Sequence, residues 1–282
     1  MLRIVMDGAG DLPAEWITKD DIQVIPINIQ FGDHTFLQGV DLSNADFYHL
    51  AEESGTIPQT SQPSPQQFIE FYKHIAQPGD TILSMHVTSK LSGTFASAEA
   101  AALELADRFK IITIDSASGS AALGYMCHEA RALDRAGADI LTIVKRMHFI
   151  RRNITVILTL NTLEYARKSG RVKALQAALA SLLNVKPIVV LEDGVLDMAD
   201  RVRTRRRALE YIVQMVFNRV GHRRINAAVV QAQDLEAGQA LMSQVRSALN
   251  CLELVMTELS ISVAANLGPG TVGIVAYPIE EG

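Results

Sequence analysis

The chain has 282 residues, of which 48% are hydrophobic, and a formal net charge of −5. This length and apolar content exclude a globally disordered chain and favour two modest domains, and the negative charge argues against nucleic acid as a partner held by bulk electrostatic attraction. The apolar runs are too short for a membrane span, and no long apolar leader follows the first basic residue. Cys127 and Cys251 form neither a Cys-x-x-Cys pair nor a metal-ligand pattern and fit buried positions in a reducing compartment. We therefore expect a soluble, cytoplasmic protein that does not insert stably into membranes.

Strands and helices alternate along the first half of the chain, and three predicted strands each end in a loop of small polar residues. The strand and loop pairs are residues 2–6 with 7–11, residues 82–87 with 88–94, and residues 109–114 with 115–120. Residues 22–31 predict a further strand, in which Pro26 marks an edge or a bulge. The alternation predicts an N-terminal α/β/α domain with a mainly parallel sheet, and ligands bind at the edge where the carboxyl ends of such strands meet. We expect the three polar loops to lie together at that edge.

A loop rich in proline, serine and threonine spans residues 55–65 and contains Thr60 and Ser61. It ends in a helix-start signature, with Ser64 as N-cap, proline at the first helical position and Gln67 placed to complete a capping box. These signals predict a rigid loop whose hydroxyl groups are suited to orienting a ligand. The alternative interpretation is that the hydroxyl groups only satisfy the backbone of the loop itself.

The loop of residues 88–94 opens an alanine-rich helix. The unpaired N–H groups of a first helical turn, the helix dipole and the loop hydroxyls together favour an anionic group, although an ordinary N-cap with spare serines explains the stretch equally well. His86 is close enough in sequence to act as a base for Ser92. However, the Gly-x-Ser-x-Gly motif is absent and no aspartate is placed by the sequence to orient the imidazole, so we expect a buried, structural histidine.

The second half of the chain predicts another α/β domain. The sequence changes character at residues 161–173, so we place the boundary between a first domain of residues 1–160 and a second domain of residues 161–282. Helices are predicted at residues 174–183, 204–220 and 235–249, and strands at residues 185–191, 195–198, 225–230, 252–256 and 272–277. The turn at Asp193-Gly194 joins two of these strands as antiparallel neighbours, which makes the second sheet mixed.

Two aspartates, Asp7 and Asp115, end strands at the same predicted edge, as metal-holding aspartates do in many phosphate-transfer enzymes. No clear third ligand accompanies them, so the favoured interpretation is that they accept backbone N–H bonds where the next helices begin. Neither glycine-rich nucleotide motif is present, which argues against binding of ATP by this chain. A metal-assisted phosphotransfer or hydrolytic enzyme that uses both aspartates stays as the alternative function.

A basic run at residues 201–207 contains five arginines. A solvated helix face is its default interpretation, a docking surface for an acidic partner comes next, and nucleic acid comes last because no aromatic residues interleave. Further on, the turn Gly268-Pro269-Gly270 follows Asn266. Glycines around a proline let a backbone approach a ligand closely, or they simply make a turn.

The order of these motifs resembles the DegV family of bacterial fatty-acid-binding proteins over nearly the whole chain. The matching motifs are residues 7–13, 39–42 leading to Phe47-Tyr48, 60–64, 91–94 with Ser97-Ala98, 114–116, 169–172, 186–188 and 268–270. The resemblance implies two α/β domains that bind a long-chain fatty acid and have no catalytic residues, cofactor or metal of their own. On the matching positions, Thr60 and Ser92 would hold the carboxylate, with Ser61, Gly93 and Asn266 as further ligand-binding candidates.

Some family members serve as the acyl-carrying subunit of a fatty acid kinase and supply phospholipid synthesis. The resemblance therefore implies a separate fatty acid kinase and an acyltransferase as partners, which would dock near Arg171, Arg201 and Arg203. This chain departs from the family where Asn266 replaces a frequent histidine, because asparagine can hydrogen-bond a carboxylate but cannot carry a proton. Gly8 and Ser169 also stand where the family often has serine and glycine. We therefore expect lipid binding more firmly than participation in phosphoryl transfer.

Overall fold

The computed structural model describes residues 1–172 and 185–279, so the helix predicted at residues 174–183 lies outside the described residues. The chain divides into two compact units. The first comprises Met1–Arg151 with Ser260–Ser262, and the second comprises Arg152–Leu259 with Val263–Gly282. Within the described ranges, none of the helices is both long enough and apolar enough to cross a membrane.

The first unit is built on a parallel sheet of four strands. Up to the end of this unit the elements are β1 (Leu2–Asp7), α1 (Ala14–Lys19), β2 (Ile22–Ile25), β3 (Asn28–Phe31), β4 (His34–Leu37), α2 (Asn44–Ser54), β5 (Gln59–Ser61), α3 (Pro65–Ile75), β6 (Thr81–His86), α4 (Thr94–Glu104), β7 (Lys110–Asp115), α5 (Ser120–Arg135) and α6 (Ile140–Asn153). The sheet has the order β2-β1-β6-β7, and all three of its pairings are parallel. Strands β1 and β6 are largely buried on both faces, as expected for strands of a parallel sheet that helices cover on either side.

The region predicted as one strand at residues 22–31 forms two strands that belong to different sheets. Pro26 lies between them, and since proline has no N–H to donate, the chain leaves the parallel ladder at this point. Strand β3 then pairs in antiparallel fashion with β4 and with β5. Part of the region predicted as a loop is therefore the short strand β5, which contains Thr60 and Ser61.

The second unit contains a mixed sheet of six strands. Its elements are β8 (Thr155–Thr159), α7 (Glu164–Ser169), β9 (Lys186–Glu192), β10 (Val195–Val202), α8 (Arg205–Val220), β11 (Ile225–Gln231), α9 (Leu235–Ala248), β12 (Cys251–Glu258), α10 (Ile261–Leu267) and β13 (Val272–Pro278). The order is β10-β9-β8-β13-β11-β12, in which β11 and β12 are parallel and the other described pairings are antiparallel. The predicted mixed sheet, including the hairpin at Asp193-Gly194, is confirmed.

Strand β8 belongs to the sheet of the second unit, where it pairs with β9 and β13. The division between the units therefore falls after Arg151 and not near residue 160. Three residues, Ser260–Ser262, return to the first unit. Their backbone and side chains bond to its loops: the Ser260 N–H donates to Asp11, and the Ser262 hydroxyl donates to the carbonyl of Gly8. Because these bonds join residues that are far apart in the chain, no local pattern in the sequence indicates them.

Candidate functional site

The three polar loops of the first unit meet at the carboxyl edge of the parallel sheet, as the alternation of strands and helices predicts. The Ser120 N–H donates to the carbonyl of Ala9 at 2.6 Å, and the Thr88 N–H donates to the carbonyl of Ser118 at 2.7 Å. These bonds join the loops that follow β1, β6 and β7. The edge is therefore a continuous hydrogen-bonded surface made of three separate segments.

The loop after β6 presents a hydroxyl pair at the start of α4. The Ser92 and Thr94 hydroxyl oxygens are 2.8 Å apart, and the Thr94 N–H donates to Ser92 Oγ at 3.3 Å. Gly93 is the N-cap of α4 and offers no side chain to the first turn of the helix. Half-buried Ser92 thus lies where exposed helical N–H groups and the positive end of the dipole favour an anion.

The segment that carries Thr60 is held rigidly. Thr60 is half-buried on β5, and the neighbouring Ser61 is exposed. The predicted capping box is present, with Ser64 accepting from the Gln67 N–H and the Gln67 side chain accepting from the Ser64 N–H. The Asn28 amide also donates to the carbonyl of Gln62 at 3.2 Å, which ties this segment to β3.

Gln62 brings the two hydroxyl segments into contact. A Cβ placed on Gly93 would lie only 2.7 Å from Nε2 of Gln62 and 3.1 Å from its Cδ. The Gln62 amide therefore packs directly over the Gly93 backbone, in space that any side chain at residue 93 would occupy. Sequence reasoning quoted Gln62 within a motif but gave it no role in the site. The sequence carries no signal for this contact, because tertiary packing joins two residues that are far apart in the chain.

Asn266 lies in the second unit, on α10, and is half-buried. Its carbonyl accepts from the Ser169 hydroxyl at 3.2 Å. Ser169, which stands where the family often has glycine, therefore bonds to the last turn of α10. Thr60, Ser61, Ser92 and Gly93 all belong to the first unit.

The three arginines expected to contact a partner all belong to the second unit; Arg201 lies on β10, Arg203 follows the end of that strand, and Arg171 lies next to a residue that bridges to it. The Arg171 guanidinium donates to the carbonyl of Ser169 at 2.6 Å, and the adjacent Val172 bridges to Leu196. Arg201 lies on β10 five residues after Leu196, which corresponds to roughly 17 Å at about 3.3 Å per residue. Arg201 and Arg203 are exposed, so the basic surface is an extended strip and not a compact cluster.

The two strand-end aspartates act as anchors for backbone and side-chain donors. Buried Asp7 accepts from the N–H groups of Ala9 at 2.9 Å and Val87 at 2.8 Å. Asp115 accepts from the Ala117 N–H at 2.8 Å and from the Ser89 hydroxyl at 2.6 Å. In the part of the chain that the structure describes, no group of three or more histidine, cysteine or acidic side chains is arranged to hold a metal ion.

His86 is buried, as expected, but an aspartate does orient it. Nδ1 of His86 lies 3.1 Å from Asp7, which is 79 residues earlier in the chain, and Nε2 lies 2.8 Å from the Ser84 hydroxyl. Tyr72 in turn donates to Ser84 at 2.8 Å. Because Asp7 accepts, we assign the proton to Nδ1, so that Nε2 accepts from Ser84 and Ser84 accepts from Tyr72. The sequence does not place this aspartate beside the ring, because the pairing of β1 with β6 in register is a tertiary feature.

Two buried groups near Asp7 have pKa values that are shifted upwards. Burial raises the pKa of the Tyr72 phenol far above its ordinary value, the bond to Ser84 opposes the shift, and the charge of Asp7 adds to it. Burial also raises the pKa of the Cys127 thiol, with Asp7 again adding to the shift. Neither group supplies an ionised nucleophile near neutral pH.

Comparison with known proteins decides the family. The family model described as "Uncharacterised protein, DegV family" matches residues 1–279. The chain belongs to the DegV family. A DegV domain-containing protein of Deinococcus radiodurans is 30% identical over 279 residues, which are 99% of each protein.

Solved DegV structures share this fold, and several of them are described as binding lipids or fatty acids. A fatty-acid-binding DegV family protein from Thermus thermophilus superimposes with a TM-score of 0.91 at 31% identity, over 99% of each chain. A stearic-acid-binding protein from Eubacterium ventriosum has a TM-score of 0.90 at 22% identity, over 99% of this chain and 98% of its own, and supports the fold alone. The two-domain α/β architecture expected from the DegV motifs is confirmed.

Proposed function

We propose that this chain binds a long-chain fatty acid and holds its carboxylate with the hydroxyl groups of Thr60 and Ser92. The observation that carries this proposal is the packing of Gln62 over Gly93, which joins the two hydroxyl segments. Ser61 and Gly93 are the adjacent candidates in the first unit. Asn266, on α10 of the second unit, is a further candidate donor.

Neutral donors suit this role. Hydroxyl and backbone N–H groups bond to a carboxylate without a buried counter-charge, and such charge-assisted bonds contribute about 1.5–3 kcal/mol each. Burial of the acyl chain adds about 0.8 kcal/mol per methylene before ordering costs. Affinity should therefore rise with the length of the acyl chain. The hydroxyl groups of Thr60 and Ser92, here called the hydroxyl clamp, would set the orientation of the ligand.

The chain also fits the role of a carrier that presents the acyl group to a separate fatty acid kinase for phospholipid synthesis. We propose Arg171, Arg201 and Arg203 as the strip that the kinase or an acyltransferase contacts. Asn266 limits this part of the proposal to presentation, because an amide cannot relay a proton to or from the bound carboxylate. No chemistry is assigned to the chain itself.

Extraction of the purified protein with organic solvent, followed by mass spectrometry, tests the core of the proposal. We expect long-chain fatty acid in amounts close to one per chain. The rival, a metal-assisted phosphotransfer or hydrolytic enzyme, predicts no co-purifying fatty acid and a magnesium-dependent phosphatase activity that Asp7→Asn abolishes. That pair of results would replace the lipid-binding proposal with the enzymatic one.

A further inference from the structure

A second polar cluster lies in the second unit, at the end of the sheet where β8 and β11 finish and β9 and β13 begin. Its cations are Lys186, the first residue of β9, and Arg205, the first residue of α8. Lys186 Nζ lies 2.5 Å from Oδ1 of Asn161 and 3.2 Å from its carbonyl oxygen. Arg205 Nη2 donates to Asp234 at 2.5 Å and to the carbonyl of Gly270 at 2.6 Å. None of these residues takes part in the hydroxyl clamp of the first unit.

The strand residues of the cluster point to the face of the sheet that α8 covers. Ile157 and Ile188 belong to the core that α8 and α9 form with this sheet. Because side chains alternate along a strand, Thr159 on β8 points to the same face as Ile157, and Lys186 points to the same face as Ile188. The register agrees, since Thr159 lies opposite Ile188. The N-terminal turn of α8, and with it Arg205, is at this same end.

Among the described residues of the cluster there are two cations and one carboxylate: Arg205 pairs with Asp234, whereas Lys186 bonds to the uncharged Asn161. Burial lowers the pKa of Lys186, repulsion from Arg205 lowers it further, and Asp234 offsets part of the shift. Two half-buried cations that repel each other are stabilised when an anion binds between them.

Two buried donors in this region also lack partners. Nη1 of Arg205 is shielded from solvent and has no hydrogen-bond partner among the described residues. The hydroxyl of Thr159 is also buried and also has no partner among the described residues. Thr159 is 0% exposed and is the last residue of β8, two residues before Asn161. Buried polar groups are almost always hydrogen-bonded, so an unpaired guanidinium N–H and an unpaired hydroxyl at the same end of this sheet indicate that an acceptor group belongs in the cluster.

We propose that Lys186 and Arg205 form a binding site for a phosphate-class oxyanion in the second unit. A guanidinium fork and an ammonium group together match the several oxygens of a tetrahedral phosphate, whereas a carboxylate has only two to share among them. The positive end of the α8 dipole adds to the attraction. This site shares no residue with the proposed fatty-acid site, so neither proposal depends on the other.

Isothermal titration of the purified full-length protein at constant ionic strength tests the site. The probes are inorganic phosphate, glycerol phosphate as a phosphate monoester, and acetate. We expect saturable binding of one or both phosphates and none of acetate. Tighter binding of glycerol phosphate identifies a phosphorylated small molecule as the source, and tighter binding of inorganic phosphate identifies the free ion.

Lys186→Met should weaken phosphate binding by about tenfold or more, the loss expected for one charge-assisted bond. Lys145→Met is the matched control, because Lys145 is an exposed residue on α6 and its loss should leave binding unchanged. Arg205→Lys keeps the charge but loses the fork, and should weaken binding several-fold while the fold is preserved. Phosphate binding should also be accompanied by proton uptake in mildly alkaline buffers, since the anion raises the pKa of Lys186. That uptake should vanish in Lys186→Met.

No saturable phosphate binding by the wild-type protein would overturn the proposal. Equal losses in Lys186→Met and Lys145→Met would overturn it as well, because binding would then reflect overall charge. Acetate that binds as tightly as phosphate would refute the phosphate class. The fatty-acid content of each variant, measured in parallel, is expected to match the wild type and keeps this test separate from that of the hydroxyl clamp.

Discussion

Replacing Gly93 with alanine tests whether the two hydroxyl segments act as one clamp. The new Cβ would lie 2.7 Å from Nε2 of Gln62, and ordinary van der Waals contact begins near 3.4 Å. The Gln62 amide must therefore withdraw by about 0.7 Å. Because this amide is the far end of an exposed, flexible side chain, it swings off the Gly93 backbone, and the contact between the two hydroxyl segments is lost.

Gly93→Ala should weaken fatty-acid binding much more than it lowers the stability of the fold. The backbone of Gly93, at φ −78° and ψ 3°, is open to alanine, so no conformational strain arises. Loss of a glycine N-cap costs about 1 kcal/mol or less, which lowers the melting temperature by a few degrees. Loss of one well-placed donor to a carboxylate costs about 1.5–3 kcal/mol, which corresponds to a decrease in fatty-acid affinity of about tenfold or more.

The assay is a titration of delipidated protein with a saturated long-chain fatty acid, for the wild type, Gly93→Ala, Gln62→Ala and the double variant. Because Gln62→Ala removes the atoms that the new methyl group meets, the double variant should bind no worse than Gln62→Ala alone. The two substitutions should thus be strongly non-additive. Wild-type affinity in Gly93→Ala, or simple additivity in the double variant, would refute the reasoning.

Three further outcomes follow from the structure. Ser92→Ala and Thr60→Ala should each weaken fatty-acid binding by about tenfold in the same titration, and unchanged affinity in both would move the carboxylate site elsewhere. Ser84→Ala leaves its two buried neighbours, Tyr72 and His86, without this hydrogen-bond partner and should lower the free energy of unfolding, measured with denaturant, by about 2–6 kcal/mol; a loss under about 1 kcal/mol would contradict these hydrogen bonds. The Gln77 N–H, the amino terminus and Arg3 lower the pKa of Asp80 from 3.8 to about 2. A carboxyl group whose pKa is lowered by folding stabilises the fold at pH values above its ordinary pKa, and this stabilisation is lost as the pH falls from about 4 towards 2. Asp80→Asn should therefore reduce the pH dependence of the free energy of unfolding in that range. An unchanged pH dependence would show that the pairing of Asp80 does not stabilise the fold.

Local signals in the sequence were enough for most of the elements and for the class of the fold, but not for strand β5 or for the break between β2 and β3. The apolar runs, the serine and proline caps and the Asp193-Gly194 turn act over a few residues, so strands, helix starts and the mixed second sheet are predictable from the chain alone. The convergence of the three polar loops was also predictable, because parallel strands end at a common edge. The family motifs added Thr60 and Ser92 as candidates.

Only the tertiary structure decided which distant residues meet. Gln62 packs over Gly93, Asp7 orients His86, and Lys186 shares a cluster with Arg205, in each case through strand register and helix packing that no local pattern encodes. The placement of β8 in the second sheet has the same cause, since a short apolar strand fits either sheet until its partners are known. The sequence by itself determined which hydroxyl, acidic and basic groups this DegV protein possesses. The fold determined which of them face one another, because hydrogen bonds and charge pairs depend on separations of a few ångströms between residues that are far apart in the chain.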